Sequence, residues 1–108
     1  MYKIYLTFHL EANSSKSIDN TFNRIKKTLE KNLELEIIGI DKHSFVVEKE
    51  FNNWENCVYG IIKLSQEIGR EWIIYGTIDF GISLWTNNPT IMGVKNIEIS
   101  CDNKENNL

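Results

Sequence analysis

Two histidines, His9 and His43, are the side chains best suited to acid–base work near neutral pH. Such a pair could cleave RNA, one ring taking a proton and the other returning it. A nuclease also needs cations beside the scissile phosphate, whereas the charged neighbours here include Glu11 and Asp41. His9 falls on the polar side of an alternating segment and His43 in a turn, so the pattern gives no reason for the rings to meet. Cys57 and Cys101 occupy an apolar helix face and a strand end, positions typical of small buried hydrophobes. They are too few and too far apart in sequence for a disulfide framework or a zinc site. There is no Gly-x-Ser-x-Gly, no phosphate-cradling glycine loop and no closely spaced histidine pair for a metal. The expectation is a protein without catalytic residues, cofactor or metal.

Carboxylates offer a second kind of chemistry. Glu34, Glu36, Asp41, Glu48 and Glu50 bracket one hairpin and could supply oxygen ligands to a divalent cation. Their spacing does not follow a calcium loop, and solvated positions on an exposed sheet face are the ordinary reading. Across 108 residues, 12 Lys and Arg oppose 15 Asp and Glu, a net charge of −3. Residues 1–33 carry Lys3, Lys16, Arg24, Lys26, Lys27 and Lys31 against Glu11, Asp19 and Glu30, whereas the remainder carries twelve acids against six cations. Lys26, Lys27 and Lys31 crowd a helix C-terminus, where they complement the macrodipole. The acidic remainder repels phosphate backbones and attracts cationic proteins, so a protein partner is expected and nucleic acid is not. An RNA-binding sheet would need three aromatics at set positions on a central strand. Around Phe45-Val46 the other two positions hold His43 and Glu48.

The elements that position these residues follow from periodicity. Tyr2, Ile4, Leu6, Phe8 and Leu10 alternate with polar neighbours, which predicts a strand. Ser17 reads as an N-cap with Asp19 in the first turn, and Ile18, Phe22, Ile25, Leu29 and Leu33 then follow helical spacing. Leu35, Ile37, Ile38 and Ile40 form a strand whose alternation slips at Ile37-Ile38, the sign of a bulge. Asp41-Lys42-His43 is a turn, and Phe45, Val47 and Phe51 mark a third strand. Asn52-Asn53 caps a helix with Trp54, Cys57, Val58, Ile61, Leu64, Ser65 and Ile68 on one face, ended by Gly69. The alternation from Trp72 to Leu84 reads as one long strand, bent at Gly76 and Gly81. After a loop at Thr86 to Thr90, Val94, Ile97, Ile99 and Cys101 form the last strand.

This order, β-α-β-β-α-β plus one strand, predicts an α+β fold: a split βαβ (ferredoxin-like) sandwich. Its mainly antiparallel sheet would carry two helices on one face and an extra C-terminal strand, paired with the long fourth strand. Residues 1–101 are expected to form one domain, within the common range of about 100–150 residues, and 102–108 a polar, frayed tail. No apolar run reaches the ~18 residues of a membrane span. The N-terminus alternates where a signal peptide would be continuously apolar, so a cytoplasmic location is expected.

The sheet face away from the helices should show Tyr5, Thr7, His9, Val46, Glu48, Glu50, Tyr75, Thr77, Asp79 and Trp85. Rings mixed with carboxylates suit a protein interface, the rings giving rigid contact area and the acids pairing with Lys and Arg. Two arrangements are open for the aromatics: exposure on that face, or cover by the C-terminal segment. The partner-binding set expected is Glu34, Glu36, Asp41, Glu48, Glu50, Tyr75, Asp79 and Trp85.

The stretch 54–69, a helix that opens on Trp54 and closes on Gly69, is followed by Trp72-Ile73-Ile74-Tyr75-Gly76 and later by Gly93-Val94. This pattern resembles immunity proteins of bacterial contact-dependent growth inhibition and related polymorphic toxin systems. The resemblance covers roughly residues 54–100 and carries over no binding residue by position. It implies a protein that binds the C-terminal toxic domain of a delivered effector, with a basic nuclease as the expected partner, and occludes its active site. Such a protein would be a monomer or weak homodimer when free. The alternative is a dimeric ferredoxin-like module that binds a regulatory ligand.

Overall fold

A computed structural model of the chain describes residues 2–11, 14–33, 36–41 and 44–106. Strand β1 (Tyr2–Leu10) turns its alternation into a two-sided ribbon: Tyr2, Ile4, Leu6 and Phe8 are buried, while Lys3, Tyr5 and His9 face solvent. Helix α1 (Ser15–Leu33) and helix α2 (Trp54–Ile68) lie against the buried side. Ile25 and Leu29 of α1 join Cys57, Ile61, Leu64 and Ile68 of α2 in one core with β1. Each such side chain, fully withdrawn from water, contributes about 1.5–3 kcal/mol before the entropy of ordering it is subtracted.

The helix starts are set by short polar side chains. Ser14, not Ser17, begins α1: its Oγ accepts the Ser17 N–H at 3.2 Å, and no acid lies in the first turn. Asn53 caps α2 as its type predicts, accepting the Asn56 N–H at 2.9 Å. Gly69 ends α2 in an extended conformation, so the chain passes straight into strand β4 (Gly69–Arg70).

Strands β2 (Glu36–Asp41) and β3 (Ser44–Lys49) form an antiparallel pair whose register shifts between Ile37 and Gly39, as the slip in the sequence predicts. The turn residues Lys42 and His43 lie outside the described residues. The long strand expected from Trp72 to Leu84 is instead a hairpin. Strand β5 (Ile73–Tyr75) reverses at Gly76, which adopts φ +99, and strand β6 (Gly81–Thr86) returns beside it. The reversal is invisible to alternation because β5 and β6 pair even residues with even and odd with odd: Ile74 with Leu84, Tyr75 with Ser83. One parity therefore keeps its face through the turn. Strand β7 (Asn88–Pro89) pairs with β4 in a separate two-stranded sheet, fastened by the Thr86 hydroxyl donating to the Arg70 carbonyl.

The main sheet is antiparallel and six-stranded, in the order β2-β3-β1-β8-β6-β5. The expected class, α+β with an antiparallel sheet and two helices, is what the chain forms. Strand β8 (Val94–Asp102) pairs with β6 as expected, but it is not an appendage. It also pairs with β1 and lies at the centre of the sheet, because Val94, Ile97, Ile99 and Cys101 give it a wholly apolar inner side. The β5–β6 hairpin forms the other end of the sheet order.

Of the segment read as a frayed tail, residues 102–105 are tied down. Asp102 ends β8, buried Asn103 donates through Nδ2 to the Asp79 carbonyl at 2.7 Å, and its N–H donates to Phe80 O at 2.9 Å. Glu105 Oε1 accepts the Trp54 N–H at 2.9 Å and the Tyr2 hydroxyl at 3.3 Å, placing a carboxylate at the positive end of α2. Burial first, and then the adjacent Glu105 charge, push the Tyr2 phenol above the ordinary tyrosine value. A group that holds its proton more tightly when folded stabilises the fold fully below the unfolded pKa. That contribution is lost as pH rises through the folded value. Stability is therefore expected to fall above about pH 10, the usual tyrosine range. Urea midpoints for wild type and Tyr2→Phe across that range test this: the decline should be shallower in the variant, and equal slopes would assign it to other groups.

Candidate functional site

The side of the sheet turned away from the helices is built by register. One row across it reads Ser44, Thr7, Glu98, Trp85, Ile73, and the next reads Val46, Tyr5, Ser100, Ser83, Tyr75. Antiparallel partners share a face, so these side chains are neighbours on one surface. Tyr5, Ile73 and Tyr75 are 46%, 56% and 49% exposed, and Trp85 is half-buried. Between Tyr5 and Tyr75 lie only the small side chains of Ser100 and Ser83, over three strand spacings of about 4.8 Å each. A shallow cavity of about 310 Å³ opens there, lined by Ser83, Ser100, Thr77, Phe80 and Asp102. Low serines between high rings give the face its relief. The carboxylates that border it are Glu98 and Asp102 of β8.

The sequence-predicted residues fall at two ends of this sheet. Tyr75 and Trp85 come together on β5 and β6, with Asp79 exposed in the turn between those strands. Glu48 is half-buried on β3, where Lys3 is its register neighbour on one side and Glu36 on the other. Glu50 is exposed just past that strand. Glu36 and Asp41 are placed by their backbones at the ends of β2, and Glu34 lies outside the described residues. The hairpin acids thus occupy one edge of the sheet and the aromatics the other, so they do not form one patch. The acids that do adjoin the aromatics are Glu98 and Asp102. Glu98 was accessible from the alternation Ile97-Glu98-Ile99, while Asp102 was assigned to the tail. The described residues of the C-terminal segment lie elsewhere than on Tyr75 and Trp85: Asn103 and Glu105 engage the Asp79–Phe80 backbone, Tyr2 and Trp54.

His9 Nε2 lies 3.2 Å from Glu98 Oε2, both side chains nearly half exposed. The pair is a surface ion pair when the ring is protonated, worth little to stability. The hydroxyls nearest in register, Thr7 and Ser44, engage each other at 3.4 Å instead. His43 lies outside the described residues. The cysteines, distant in sequence, meet in the core: Cys57 Sγ and Cys101 Sγ are 3.8 Å apart and both are buried. The hydrogen bond shared with Cys57, and then burial, push the Cys101 thiol far up. A protonated, enclosed thiol of that kind is packing material, not a nucleophile. Among the described residues no group of three or more His, Cys, Asp or Glu is placed to hold a metal ion. No described helix is long and apolar enough to cross a membrane.

A second feature adjoins this face. Ile73, Ile74, Tyr75, Ile78 and Phe80 are each about half exposed or more, all within one hairpin. The backbone beneath them is held: Ile78 O accepts Trp54 Nε1–H at 2.7 Å, and the Asp79 and Phe80 carbonyls accept from Asn103. The tip is preorganised while its apolar side chains remain in water. An apolar surface of that density marks an interaction site more often than chance exposure.

Compared with known proteins, the chain matches no family model, no curated protein and no solved structure.

Proposed function

We propose that this chain is a protein-binding inhibitor of the immunity kind, one that neutralises a cationic toxin domain by covering its active site. The observation that carries the reading is the uncovered sheet face on which Tyr5, Tyr75 and Trp85 stand beside Glu98 and Asp102. Rings held on a sheet give contact area at small entropic cost, and carboxylates at their border steer a cationic partner. A basic nuclease fits this chemistry, since its phosphate-binding cleft is lined with Lys and Arg. The inhibitor would act in the cytoplasm, by occlusion, without cofactor or reaction. We read its architecture as a split βαβ sandwich with the β5–β6 hairpin added at one edge, a reading supported by the strand order β2-β3-β1-β8.

Co-expression with the toxin domain encoded beside it tests the function, with protection of the cells as the expected result. Glu98→Lys combined with Asp102→Lys is expected to slow association at low salt by at least about 10-fold, with a smaller effect at high salt. Failure to protect, or association unchanged by the double reversal, would remove the reading. The alternative of a dimeric ligand-binding module draws on the cavity beside β5, of about 510 Å³. A stable homodimer with a ligand-dependent melting shift would favour it.

A further inference from the structure

Cys57 and Cys101 are 44 positions apart in the chain, yet their Sγ atoms lie 3.8 Å apart in the core. Each arrives on an element that is held in place. Cys57 lies in the opening turns of α2, with its N–H donating to Asn53 O at 3.1 Å. That end of the helix is fastened by Trp54 Nε1–H donating to Ile78 O at 2.7 Å. Cys101 lies on β8 between its register partners Ile4 of β1 and Ile82 of β6. The meeting of the two thiols is thus fixed by the packing of α2 on the sheet.

Two sulfurs at 3.8 Å are near bonding range. A disulfide needs about 2.05 Å, so they must approach by about 1.8 Å. Turning a cysteine from one staggered position to the next about its Cα–Cβ bond moves the sulfur further than that. The proton is unequally shared between them. Cys101 has two acceptors for its S–H, Cys57 Sγ and the Asp102 carbonyl at 3.7 Å, and it keeps the proton. The hydrogen bond with Cys101 lowers the Cys57 thiol, against the opposing effect of burial. Cys101 alone is inert, but the pair sets a sulfur that can lose its proton beside one that retains it. Cys101 also lines the cavity of about 310 Å³, together with its neighbours Ser100 and Asp102. The pair therefore lies beneath the open face, with an approach for a molecule as small as hydrogen peroxide.

We infer that Cys57 and Cys101 form an oxidation site, at which a hydroperoxide joins the two sulfurs and staples α2 to the central strand beneath the open face. The Cys57 sulfur attacks one peroxide oxygen and the O–O bond breaks. Cys57 becomes a sulfenic acid, and the other oxygen leaves with the Cys57 proton as water or an alcohol. The Cys101 sulfur then displaces the sulfenic hydroxyl, which departs with the Cys101 proton as water. Two thiols lose two hydrogens and two electrons, and the peroxide gains them. The bond closes a long loop, 57–101, and so removes freedom from the unfolded chain. Thiol reductants reopen it by exchange, which makes the modification reversible.

The test treats the folded full chain with hydrogen peroxide, alkylates the remaining thiols and measures the mass. The expected product is a single chain lighter by two hydrogen atoms, unalkylated at both cysteines. A digest made without reductant should contain one pair of peptides joined through positions 57 and 101. The melting midpoint should rise by about 5 °C or more and return to its starting value with dithiothreitol. Cys101→Ala should stop at the Cys57 sulfenic acid, trapped with dimedone; if that variant does not fold, the wild-type digest decides. Two alkylated thiols after peroxide, sulfinic acid in place of the bond, disulfides between chains, or a midpoint unchanged or lowered would overturn the inference. No partner takes part, so the outcome is independent of the co-expression and charge-reversal tests.

Discussion

Phe8→Ala is expected to destabilise the fold by about 3–5 kcal/mol, the cost of emptying a fully buried aromatic site. Phe8 has no solvent exposure and stands edge-on to Phe45, with ring centroids 5.6 Å apart, and Phe45 in turn meets Phe22 at 5.6 Å. At Phe8 itself β1 is paired with β8, opposite Ile97, and the preceding residue Thr7 is also paired with Ser44 of β3, which limits how far the backbone can close on the vacancy. Against a total stability of about 5–15 kcal/mol, the loss would leave the variant marginal at best. Urea unfolding is the measurement: the midpoint should fall sharply while the slope stays near the wild-type value. Phe22→Ala, at a half-buried position on α1, should cost clearly less. Equal effects at the two sites would show that the aromatic cluster is looser than its geometry implies.

The second large effect is expected at Gly93. This residue adopts φ +93, a conformation costly to any side chain, and a Cβ there would lie 2.6 Å from Thr21 Oγ1. Thr21 does not yield easily, because it is buried and its hydroxyl donates to Ser17 O at 2.9 Å. Strain and overlap together put Gly93→Ala at about 2–4 kcal/mol. In a domain of this size that corresponds to a drop of roughly 10–20 °C in the melting midpoint. The two causes separate in a double variant: Thr21→Ala removes the overlap and leaves the backbone strain. Partial recovery on adding Thr21→Ala to Gly93→Ala is therefore expected. A double variant no better than the single one would mean that the backbone conformation carries the whole cost.

Gly93 also gives a physical reason for one residue of the pattern that resembles immunity proteins. Its carbonyl accepts the Glu11 N–H at 3.0 Å, joining the end of β1 to the approach to β8. The glycine fits a junction where a strand passes close to α1. Packing accounts for its presence there.

What could be read from the sequence was local. The alternation in 2–10 and the helical spacing in 18–29 and 54–68 assigned strand, helix and buried side correctly. Burial at a fixed period needs only the geometry of one element. Asn53 and the slip at Ile37-Ile38 were readable for the same reason, since a cap and a bulge are set within a few residues. The partners of each element were not. Nothing in Val94–Cys101 distinguishes an outer strand from a central one until both its edges are seen to be paired. The hairpin at 73–86 escaped because its register preserves parity, leaving the two glycines as the only trace of a reversal. The contact of Cys57 with Cys101, the docking of Glu105 on Trp54, and the separation of the hairpin acids from Tyr75 and Trp85 all depend on which strand lies beside which. Sequence thus determined the periodic faces and their charge, because those follow from bonds along the chain. Tertiary structure alone decided which faces became neighbours, because strand order is chosen by the burial of all apolar sides at once.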